Sequence, residues 1–107
     1  MTTFNDRERA EEAKFARDED THFRIVARRN RLLGEWAAER MGLSAAETEA
    51  YAKSVVQADF EEAGDEDVIR KVLGDLVAAG VDIDDAAVRS ALAEKSVEAK
   101  RQLMSES

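Results

Sequence analysis

The sequence predicts an all-α protein, a small four-helix bundle with a mobile or extended N-terminal segment. Three observations carry that prediction. Proline is absent and glycine occurs only five times in 107 residues, so few positions interrupt a helix. Apolar residues recur every three to four positions over four separate stretches. Helix start and stop residues punctuate those stretches at short intervals.

Asn5 to Asp20 reads NDRERAEEAKFARDED, mostly charge, with Phe15 as its only large apolar side chain. Such a segment has too little apolar surface to bury itself, although its residues favour helix and Arg7–Glu11 and Glu8–Glu12 stand at turn spacing. Residues 1–20 are therefore read as a charged N-terminal segment and 21–104 as a helical bundle domain. From Thr21 to Met41, Phe23, Val26, Ala27, Asn30, Leu33, Gly34, Ala37 and Met41 share one face, which is predicted to enter the core. A second stripe of Ile25, Leu32 and Trp36 lies round the same helix, so the helix is central or partly exposed. Gly42 fits a C-terminal stop.

Ser44-Ala45-Ala46-Glu47 is a capping-box pattern opening a second helix, whose stripe is Ala52, Val56 and Phe60 with Tyr51 and Val55, up to Ala63. Gly64 ends it. Asp65 is expected to cap a third helix, with Glu66 and Asp67 set against its positive end and Val68, Ile69, Val72, Leu73, Leu76 and Val77 as its apolar face. Gly80 closes that helix, and Val81 and Ile83 are expected to tuck under the bundle. Asp84 caps a last helix carrying Val88, Ala91 and Leu92, which weakens through Ser96 and Ala99 to Leu103 and is expected to fray.

Composition narrows function by exclusion. Without cysteine there are no disulfides, thiolate metal sites or cysteine nucleophiles, and a reducing cytoplasm fits. No apolar run approaches the roughly twenty residues that cross a bilayer, and no secretory leader is visible. A formal charge of −8 opposes nucleic acid and anionic lipid, which leaves a protein as the natural partner. Gly64-Asp65-Glu66-Asp67 lacks the lysine of a phosphate loop and the alternating ligands of a calcium loop, so capping accounts for it. His22 has no second histidine or cysteine to complete a metal site and is read as a surface residue. No nucleophile–base set is present, and no enzyme activity or cofactor is expected.

Two features point outward. Phe4 and Phe15 are eleven residues apart and fall on one side of a continuous helix with Arg7, Glu8 and Glu11 between them, a spacing suited to a groove on another protein. Arg24, Arg28 and Arg31 share a face and, with Arg29, form the basic run ARRNR inside an acidic chain. That face is either a solvated surface paired with acids such as Glu35 or a weak nucleotide site formed by Arg28, Arg29 and nearby Trp36. Trp36 alone reads as a core residue.

The chain resembles the ζ subunit of alphaproteobacterial rotary ATP synthases, a family of small helical ATPase inhibitors. The resemblance is carried by Thr3-Phe4, Asp6-Arg7, Glu12-Ala13-Lys14-Phe15-Ala16, Ala27-Arg28-Arg29-Asn30, Leu32-Leu33-Gly34 and Trp36-Ala37-Ala38-Glu39. It continues through Ala50-Tyr51-Ala52-Lys53, Val55-Val56, Ala58-Asp59-Phe60-Glu61-Glu62, Gly64-Asp65-Glu66-Asp67-Val68 and Ala78-Ala79-Gly80-Val81-Asp82. It implies a four-helix body whose N-terminal segment enters the catalytic head between the α and β subunits near γ and blocks ATP hydrolysis. Carried onto this chain, the segment is about Met1 to Glu19, with Phe4, Arg7, Glu8 and Phe15 as contacts. Glu11 stands where related proteins often carry an aromatic residue. The resemblance further implies a protein that is monomeric when free and cytoplasmic, working at the inner-membrane ATP synthase without entering the membrane.

Overall fold

The computed structural model describes residues 19–61 and 64–106, and among them the only regular elements are four α-helices. They are α1 (Glu19–Met41), α2 (Ala45–Glu61), α3 (Asp65–Ala78) and α4 (Asp85–Glu106). Phe4, Arg7, Glu8, Glu11 and Phe15 lie outside the described residues, as does Ala63.

Local chemistry sets the boundaries. At Gly42 (φ 72°) the backbone enters the left-handed region, the Leu43 N–H donates to the Ala38 carbonyl and the Gly42 N–H to Glu39. This paired arrangement satisfies carbonyls that the helix end would orphan, and glycine adopts it without a Cβ clash. The same pattern closes α3 at Gly80 (φ 84°). The capping box forms as read: the Glu47 N–H donates to Ser44 Oγ at 3.2 Å while the Ser44 N–H donates to Glu47 Oε1 at 2.9 Å. Asp84 caps α4 by accepting from the Ala87 N–H at 2.9 Å.

Asp65 does not cap α3. Gly64 holds the cap position and Asp65 is the first helical residue, its carboxylate turned to Arg29 instead. The three acids of the first turn still lie at the positive end of the helix dipole.

The helix α1 is central. It packs against α2, α3 and α4, whereas α2 and α4 make no contact with one another. Leu33, Ala37, Val55, Val68, Ile69, Val72, Leu76, Val88, Ala91 and Leu92 form the buried core, with Trp36, Met41, Tyr51, Leu73, Val81 and Ile83 packed around it. Each fully buried leucine or valine contributes about 1.5–3 kcal/mol. Gly34 allows α1 and α2 to meet closely, since a Cβ there would fall 2.7 Å from the Ala52 Cα. Polar ties reinforce the packing: the Tyr51 hydroxyl donates to Asp75 at 2.8 Å, and Lys71 reaches the same carboxylate at 3.1 Å. Burial and then that hydrogen bond push the Tyr51 phenol well above its ordinary value.

Three expectations are corrected. The end of α4 does not fray: the helix runs to Glu106 with Ala99 and Leu103 buried, and Arg28 of α1 holds its last turns through Gln102 and Glu106. Phe23, expected in the core, is 49% exposed, and Val77 on α3 is 57% exposed. Phe23 sits in the second turn of α1 on the rim of the clefts between the helices, and Val77 in the last turn of α3, so each is only partly covered.

Candidate functional site

Because α2 and α4 stand apart, α1 forms the floor of a groove between them. The groove encloses about 370 Å³ and is lined by Phe23, Arg24, Ala27, Arg28 and Arg31 of α1, Lys53 and Val56 of α2, and Leu103 and Glu106 of α4. Helical spacing aligns Arg24, Arg28 and Arg31 on one face, and the packing of α2 brings Lys53 opposite. Four cations thus converge on a partly apolar cleft in an acidic protein.

Their charges are partly answered from within. Arg28 Nη1 donates to Gln102 Oε1 at 2.8 Å and to Glu106 Oε1 at 3.1 Å, and Nη2 reaches Glu106 Oε2 at 3.4 Å. Arg31 pairs with Glu35 at 3.7 Å and Lys53 with Glu49 at 4.0 Å. Arg24 makes no ion pair among the described residues. Exposed pairs of this kind contribute only about 0–1 kcal/mol, so an incoming anion displaces them at little cost.

The three candidates Arg28, Arg29 and Trp36 are not brought together. Arg29 is 7% exposed and turns away from the groove, giving Nε and Nη2 to Asn30 Oδ1 at 3.0 and 2.9 Å and Nη1 to Asp65 Oδ1 at 2.9 Å. Trp36 packs half-buried on the core, with the Arg40 guanidinium 4.3 Å above its ring. Lys53 is the cation that residue spacing along α1 does not reveal; only its place on a second helix brings it in.

Elsewhere the ionisable groups serve helix ends. The Ser44 backbone and hydroxyl hold the Glu47 carboxyl below its ordinary value. Arg89 gives Nη1 and Nη2 to the two Glu66 oxygens at 2.8 and 2.6 Å, which lowers Glu66 and raises Arg89. His22 is exposed, and among the described residues no group of three or more His, Asp or Glu is placed to hold a metal ion. Nor is any described helix long and apolar enough to cross a membrane.

A family model described as ATPase inhibitor subunit zeta matches residues 1–102. The chain belongs to the ATPase inhibitor subunit zeta family. No curated protein matches it. Four chains of solved structures do. One, a protein solved in solution by NMR, is 52% identical, with 79% of this chain and 96% of its own covered and a TM-score of 0.70. The zeta family match spans both the charged segment and the bundle, so both belong to the unit that the family shares. Membership supports an ATPase inhibitor role.

Proposed function

We propose that this zeta-family chain inhibits ATP hydrolysis by the bacterial rotary ATP synthase, with residues 1–20 entering the catalytic head between α and β subunits near γ. The observation that carries the reading is a family match that begins at residue 1 and takes in the charged segment. Phe4, Arg7, Glu8, Glu11 and Phe15 are its contacts. The segment takes up helix inside the interface, where the enzyme supplies the apolar surface that the segment's own sequence lacks. Ordering of this kind costs a few kcal/mol. Docking of the bundle, residues 21–104, offsets that cost, and a catalytic site held in one state stalls rotation. The protein acts as a monomer on the cytoplasmic side of the inner membrane.

Removing residues 1–19 tests this. The shortened chain keeps its helices by circular dichroism and loses inhibition of the cognate enzyme by about tenfold or more, one decade for each ~1.4 kcal/mol of contact removed. A shortened chain that inhibits as well as the full one overturns the reading.

The groove supports a second reading, weak nucleotide binding that senses energy state and coexists with inhibition. Four cations beside Phe23 offer phosphate contacts and a ring for stacking. Titration with ATP shifts the amide resonances of Arg24, Arg28 and Lys53 if this is right, and leaves them in place at millimolar ligand if it is wrong.

A further inference from the structure

Asn30 is 1% exposed, and its side-chain amide is held in one orientation. Its Oδ1 accepts from both Arg29 Nε and Nη2. Turning the amide over would set its NH2 group against two guanidinium donors, so Nδ2 must point the other way. There, buried, it meets no acceptor among the described residues. Buried polar atoms are almost always satisfied, and a donor left bare carries the full cost of its lost hydration.

Beside Asn30 lies a small cleft of about 20 Å³ between α1 and α2, lined otherwise by Phe23, Val26, Ala27, Val56 and Asp59. Its volume admits one water, which needs about 10–15 Å³, and nothing much larger. The lining side chains are apolar except for two, and those two demand opposite things of a ligand. Asn30 Nδ2 needs an acceptor, whereas the Asp59 carboxylate needs a donor. An ammonium ion has no lone pair for Nδ2, and a halide is repelled by Asp59. Water meets both demands.

We propose that this cleft is a hydration site holding a single internal water, which accepts from Asn30 Nδ2 and donates to Asp59, tying α1 to α2 beneath Phe23. The site is independent of the proposed inhibitory role. It ties the fourth turn of α1, at Asn30, to Asp59 near the end of α2.

Water-selective NOE and ROE spectra of the full-length chain test it. The Arg29 guanidinium protons on Asn30 Oδ1 exchange with solvent and can relay a signal to the Asn30 amide, so the amide cross-peak counts only where water also gives direct cross-peaks, of dipolar sign, to the Val26 and Val56 methyl groups that line the cleft. The expected result is that cross-peak in the native chain, with its loss and a shifted Asn30 amide resonance in Asp59→Ala. No cross-peak in the native chain overturns the site. A cross-peak unchanged in Asp59→Ala overturns the bridge to α2.

Discussion

Arg28 and Arg29 are neighbours in sequence and opposites in use. Arg28 faces the groove, 31% exposed at its side chain and held by residues of α4. Arg29 is buried and divides its guanidinium between Asn30 and Asp65, three donors on two acceptors in fixed directions. That division needs the planar fork of arginine; a lysine ammonium cannot reach both acceptors with the same geometry. Arg29→Lys is therefore expected to cost about 1–2 kcal/mol in urea unfolding, whereas Arg28→Lys changes stability little, as exposed pairs do. Equal effects of the two substitutions contradict this assignment. The sequence showed a basic run here and could not separate its members, because Arg29 is distinguished by Asp65, thirty-six positions away on another helix.

At the scale of the helix, what was legible was what local hydrogen bonding decides. The Ser44–Glu47 box, the Gly42 and Gly80 stops and the Asp84 cap all form between residues a few positions apart. Asp65 was misread because capping competes with a distant arginine that the local pattern does not contain. The end of α4 was misread because what holds it, Arg28 of α1 against Gln102 and Glu106, lies far away in sequence and leaves no mark on the periodicity of α4 itself. These caps also make stability depend on pH. Glu47 and Glu66 are both held below the ordinary 4.5 in the folded chain, Glu47 by Ser44 and Glu66 by Arg89. Their contributions are thus present above about pH 4.5 and fade as pH falls from there through the lower folded values. The thermal midpoint should decline over that acid range. Glu47→Gln should flatten part of the decline, since its amide keeps the capping acceptor without titrating. An acid limb identical to that of the native chain would show that the box does not titrate with folding.

At the scale of the whole molecule, the core residues all lie at or beyond Leu33, which is why removal of residues 1–19 leaves the four helices their packing. The all-α class and the number of helices were readable from periodicity and caps. The groove was not, since it exists only because α2 and α4 are held apart on α1. Its four cations come from two helices, and helical spacing exposes only the three on α1.

The central position of α1 also has a mechanical meaning. A rotary machine that gripped the segment before Glu19 would pull on the helix that all three others clasp. Tension directed along that helix loads its three interfaces together in shear, rather than peeling one helix from the edge, so the body would resist as a unit.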